Sequence, residues 1–101
     1  MKKIVPLKGY ALITFENEGS FKIPSESLQN EKNGLVIEMG AFHEKTIVST
    51  HGNVSGISYI DPGFGVGERI YFTQITGRPI VNENGSYAFI NYSDVIGKEL
   101  K

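Results

Sequence analysis

The sequence predicts an all-β fold. Twelve glycines and four prolines accompany five tyrosines and many Ile and Val residues, a mixture of strand formers and turn formers. Apolar residues come in short bursts closed by turn signals, and no stretch sustains a 3.6-residue apolar period over ten or more positions. A third sign is the Asn-Gly pair in "NENGS" (Asn82–Ser86), a strong hairpin signal.

The elements follow in order. "YALITF" (Tyr10–Phe15) is rich in β-formers and predicts the first clear strand. "GLVIEMG" (Gly34–Gly40) is an apolar run with glycine at both ends. "TIVS" and "GISYI" flank "HGNVSG", and together they predict a hairpin. "RIYF" and "SYAFIN" predict two further strands. In "NYSDVIGKELK", Ser93 is placed to cap a short helical turn, with Val95, Ile96 and Leu100 forming a strand or a frayed helix.

One segment breaks the rhythm. "ENEGSFKIPSESLQNEKNG" lies between Phe15 and Leu35. Structureless segments longer than about 12–15 residues are uncommon in compact domains and tend to be functional or disordered. Phe21 and Ile23 are the only large apolar residues between Glu16 and Leu28, which raises the question of what covers them. Pro24 forbids a central strand there.

Composition excludes several classes. The chain of 101 residues is long enough for one core. With a net charge of −1 it carries no general pull toward nucleic acid. It has no cysteine, so disulfides and thiolate metal sites are excluded. No apolar run approaches the length of a membrane helix, and "MKKIVPLKGY" lacks the apolar core of a signal peptide. The expectation is a soluble cytoplasmic protein without nucleic-acid or membrane partners.

The candidate chemical sites all read more simply as structure. "GFGVGE" (Gly63–Glu68) has a G-x-G-x-G spacing but leads into a strand-like run, whereas a phosphate cradle needs a helix there. His43 and His51, with Glu44 or Asp61, are the available metal ligands, and they read as solvated residues of a surface hairpin. No nucleophile elbow or paired-carboxylate spacing occurs. Lys2, Lys3 and Lys8 read as a solvated basic face. Neither catalysis nor a cofactor is expected.

Taken together, five segments resemble the GroES family of co-chaperonins in order and spacing. They are "IVPLKGYALI" with Pro6 and Leu7, "GSFKIPSES" ending its motif at Pro24, "NGLVIEMG", "VGERIYF" and "YAFINYSDVIG". The resemblance implies one GroES-like domain over residues 1–101, a small irregular β-barrel. It also implies a mobile loop at about 17–33 and a roof hairpin at about 41–65. The implied function is capping a GroEL-type chaperonin so that substrate proteins are enclosed for ATP-dependent folding.

The implied anchors for the chaperonin's apical domains are Phe21, Lys22, Ile23 and Pro24. The implied partner in assembly is the chain itself, as a homo-heptameric ring. Its interface would pair the first strand of one subunit with the last of its neighbour, through Ile4, Val5, Leu7, Val95, Ile96 and Leu100.

The departures from the pattern are specific. Ser20 stands where the loop motif has its second glycine, and Lys22 stands at its middle hydrophobic position. Gly9, Tyr10 and Ala11 replace the usual Asp-Arg-Val. Thr76 stands where an aromatic often faces the folding chamber, and the roof segment is long. The alternative is a divergent ring-forming structural or phage-assembly protein with this barrel and no chaperonin. An enzyme fragment, by analogy with the GroES-like part of medium-chain alcohol dehydrogenases, lacks both the zinc cysteines and the dinucleotide-binding half.

Energetics fit weak, multiplied contacts. Burying one Phe or Ile is worth about 1.5–3 kcal/mol, while ordering loop backbone costs about 1–2 kcal/mol per residue. A single loop of this kind binds weakly, and a ring of loops gains avidity from effective concentration.

Overall fold

A computed structural model describes residues 3–15, 32–52, 54–83 and 85–100. The architecture is all-β. It comprises β1 (Tyr10–Thr14), β2 (Asn33–Met39), β3 (Glu44–Val48), β4 (Val54–Tyr59), β5 (Arg69–Phe72), β6 (Thr76–Asn82), β7 (Gly85–Asn91) and β8 (Val95–Lys98). Six strands form one antiparallel sheet in the order β6-β7-β1-β2-β5-β8, and β3 and β4 form a separate two-stranded sheet.

Alternation along the strands builds the interior. On β1, Ala11 and Ile13 are buried in the core, followed by Phe15. On β7, Ala88 and Ile90 point the same way. The register sets Ala11 against Ile90 and Ile13 against Ala88, so each large side chain faces a small one. Val36 of β2 and Ile70 and Phe72 of β5 complete the strand contribution. Each of the larger side chains gains about 1.5–3 kcal/mol from leaving water. Gly34 makes room for this packing, since a Cβ there would meet the Ile13 side chain.

Two aromatic residues close the core from outside the strands. Phe64 comes from the glycine-rich turn and Tyr92 from a short 3-10 turn, Tyr92–Asp94, and their rings meet edge to face at 5.7 Å. Burial also reaches the other face of β1, where Leu12, opposite Phe89, is only 3% exposed.

Several expectations are revised in detail. Asn91, not Ser93, caps the 3-10 turn: its side-chain oxygen accepts from the Ser93 backbone N–H at 2.9 Å. The residue before the turn is the one with extended backbone, and that frees its side chain to reach back. Val95–Lys98 then forms a strand. Residues 3–7 lie outside every strand, although the opening run was expected to include one. The β6–β7 hairpin falls where the Asn-Gly signal predicts it, but no strand is predicted before it, because Gly77 and Pro79 interrupt the apolar pattern of β6. Its pairing with β7 is irregular between Thr76 and Ile80, where those residues fall.

The fold has a tight crossing at Gly40. A side chain there would collide with the backbone carbonyl of Leu7. Gly40→Ala is therefore predicted to lower stability by about 1–3 kcal/mol or more, since overpacking against backbone has no rotamer to relieve it. Urea unfolding followed by tyrosine fluorescence checks this, and an unchanged midpoint refutes the crossing.

Candidate functional site at the chain ends

The described residues present two apolar surfaces at the ends of the chain. The first is the segment before β1. Pro6 is buried, Ile4 is half-buried, and Val5 and Leu7 are 62% and 79% exposed. Val5 and Leu7 join Tyr10, Thr76 and Phe89 around an apolar groove of about 210 Å³. Thr76 is half-buried and lines this groove with the N-terminal segment, opposite Phe89 in the β6–β7 ladder.

The second surface is β8. Among the described residues it pairs with β5 alone, which makes it an edge of the sheet. Val95 packs against the chain's own core. Ile96, at the bulge in the β5–β8 ladder, and Leu100 point outward, 71% and 84% exposed. Of the six residues named above for the subunit interface, four are therefore strongly exposed, and Ile4 and Val95 are intermediate, Val95 packing against the core. Phe21, Lys22, Ile23 and Pro24 lie outside the described residues.

The sheet's two edges differ in chemistry. β6 has an irregular stretch holding Pro79, which has no N–H to offer a neighbour. β8 has no proline and carries Ile96 on its exposed side. The open edge of β8 offers unpaired backbone groups to another strand, and it is guarded by its four-residue length, its bulge and Lys98 rather than by proline.

Behind both surfaces stands Tyr92. Its hydroxyl donates to the Gly40 carbonyl at 2.5 Å, and its backbone N–H donates to the Gly9 carbonyl at 2.9 Å. Phe42 and His43 meet the ring edge to face at 6.1 and 6.3 Å. The His43 ring also lies against Gly9, where an added Cβ would fall 2.7 Å from Nε2. Tyr92 thereby ties the approach to β1, the root of the β3–β4 hairpin and the entry to β8 into one junction. The sequence shows no signal for this role, since an aromatic after a strand reads as one more core residue.

The hairpin itself leaves its apolar residues in water. Ile47, Val48, Val54, Ile57 and Tyr59 are each between 46% and 68% exposed. Its strands pair Glu44 with Tyr59, Thr46 with Ile57 and Val48 with Val54.

The glycine-rich turn uses its amides internally. Gly63 N–H donates to the Asp61 carboxylate, Gly65 N–H to Glu68 Oε1 at 2.8 Å, and Gly67 N–H to the Val36 carbonyl. β5 follows it, so the turn offers no helix N-terminus for a phosphate. Among the described residues no group of three His, Asp or Glu side chains is placed to hold a metal, and no helix is long and apolar enough to cross a membrane.

In comparisons with known proteins, no family model and no curated protein matches the chain.

Burial raises the Tyr92 hydroxyl above its ordinary value near 10, against the lowering effect of its bond to Gly40. The folded chain holds this proton more tightly than the unfolded chain. The resulting stability is complete below about pH 10 and is lost as pH rises through the folded value. Tyr92→Phe is predicted to cost about 1–3 kcal/mol near neutral pH by orphaning the Gly40 carbonyl. Its deficit relative to the parent should shrink above pH 10. Urea midpoints at pH 7 and at alkaline pH test this, and a deficit that stays constant across the range counts against it.

Proposed function

We propose that the chain is a ring-forming co-chaperonin that caps a GroEL-type chaperonin. The observation that carries the reading is the pair of uncovered apolar ends, Val5 and Leu7 before β1 and Ile96 and Leu100 at and beyond the edge strand β8. The first end lies outside any strand, and the second is an edge lacking a second neighbour among the described residues. Each has what the other needs. Pairing residues 4–8 of one copy with 95–100 of the next covers both, and repetition around a closed ring leaves no end over. The count of seven rests on the family resemblance.

Chaperonin binding is assigned to Phe21 and Ile23, with Pro24 limiting the backbone after them and lowering the cost of ordering. Lys22 points away from the apolar groove of the apical domain or meets an acidic residue there, since an unpaired buried ammonium is too costly. Ser20 and Lys22 favour the second reading, in which the same ring is a structural or phage-assembly component without a chaperonin.

Light scattering at micromolar concentration is expected to show a ring, and deletion of residues 96–101 is expected to release monomers. A monomeric parent defeats the assembly reading. Co-sedimentation with a GroEL-type chaperonin and nucleotide separates the two functions. Replacing Phe21 and Ile23 together with Ser is expected to leave the ring intact and abolish co-sedimentation, because each subunit forfeits about 3–6 kcal/mol of burial and the ring multiplies the loss. A double variant that binds as well as the parent assigns the ring to the structural role.

A further inference from the structure

We propose that a polar clasp sets how firmly β8 is held to the sheet, and that it makes this edge responsive to ionic strength. The clasp consists of Glu68 with Lys98 and Arg69 with Glu99. Its consequence for assembly rests on the ring reading above, whereas the clasp itself does not.

β8 has little apolar anchorage. Val95 alone of its residues packs on the core, while Ile96, Gly97 and Lys98 are exposed. A cleft of about 200 Å³ separates these residues from Pro62, Gly63 and Phe64 of the glycine-rich turn. Besides the ladder to β5, charge pairs bridge the strand to the body of the chain. Lys98 Nζ lies 3.1 Å from Glu68 Oε2, and Arg69 Nε lies 3.5 Å from Glu99 Oε2.

The partners on the body side are themselves fixed. The second oxygen of Glu68 accepts the Gly65 N–H, and its backbone carbonyl accepts the Val36 N–H at 2.9 Å. Arg69 Nη1 donates to Asn33 Oδ1 at 2.9 Å, and its carbonyl accepts the Glu99 N–H at 2.9 Å. The turn, β2 and β5 therefore converge on the strand from the sheet side. The side chains are 25–59% exposed, so salt reaches them. Pairs of this kind shift an equilibrium by a factor of about 1.5 to 5 each. That is small against global unfolding and large against the opening of an edge strand.

The test is hydrogen exchange at residues 95–99 in about 0.01 M and about 1 M sodium chloride, between which the screening length falls from about 30 Å to about 3 Å. In the parent, these amides are expected to exchange about three to ten times faster at high salt, while Ile13 and Ile90 stay constant. Lys98→Met is expected to exchange faster than the parent at low salt and to keep only the smaller salt response of the remaining Arg69–Glu99 pair, and Lys98→Arg is expected to follow the parent. A parent without a salt response overturns the clasp, as does a Lys98→Met protein that keeps the parent's rates. Sedimentation of the same samples separates the two ideas. Monomers at both concentrations with a responsive β8 uphold the clasp and overturn the ring, whereas rings with an unresponsive β8 do the reverse.

Discussion

The fold depends on a close approach at Gly40. The chain leaves β2 there, the hairpin root begins, and the N-terminal segment passes with the Leu7 backbone where a side chain would otherwise stand. Tyr92 fastens the crossing by donating its hydroxyl to the Gly40 carbonyl. Gly40 N–H donates in turn to the Tyr10 carbonyl at 2.8 Å, and Gly9 N–H to the Ala41 carbonyl. Satisfied backbone groups in a crowded place are what a buried crossing requires, since an unpaired one costs about 1–3 kcal/mol. The junction also decides where the exposed ends emerge, because it holds the segment before β1 and the turn before β8 against one another.

From that junction outward the molecule divides into a firm centre and polar margins. β1 and β7, paired along five positions with Ala facing Ile, form the inner part of the sheet. The margins are held by other means. β8 relies on its ladder and on charge pairs, and β6 is irregular where Gly77 and Pro79 fall. The hairpin has neither core side chains nor a second layer among the described residues, and two-stranded sheets of that kind are marginal alone. Apolar residues on this periphery lack cover within the described chain, as those of the centre do not.

Much of this organisation was legible from residue order. The strands at Tyr10–Thr14, Asn33–Met39, Arg69–Phe72 and Gly85–Asn91 announce themselves through short runs of β-branched, aromatic and other apolar residues, most of them bounded by turn residues. The hairpin was marked by the turn residues around Gly52, whose φ of +82° suits glycine. β6 was hidden because Gly and Pro count against a strand unless it lies at an edge, and edge position is a property of the whole sheet. Tyr92 was hidden for a similar reason: its partners at Gly9, Gly40 and Phe42 are distant in sequence. The exposed residues at Val5, Leu7, Ile96 and Leu100 could be named as apolar ends, but their exposure is known only once the core is seen to fill without them. Phe21 and Ile23 remain a sequence argument, resting on a motif outside the described residues.

The sheet order has a consequence for synthesis. β1 lies between β2 and β7, with Tyr10 paired to Asn91. The first strand of this domain to be made therefore waits for the seventh before its second side is filled. Until then Ala11, Ile13 and Phe15 have no Ala88 or Ile90 to pack against, and only the partnership with β2 is within reach. Non-local pairing of this kind slows folding and lengthens the interval in which apolar strands stand open. Seven of the eight described strands must therefore be made before β1 gains its second neighbour, and in that interval its apolar side chains have half of their final cover.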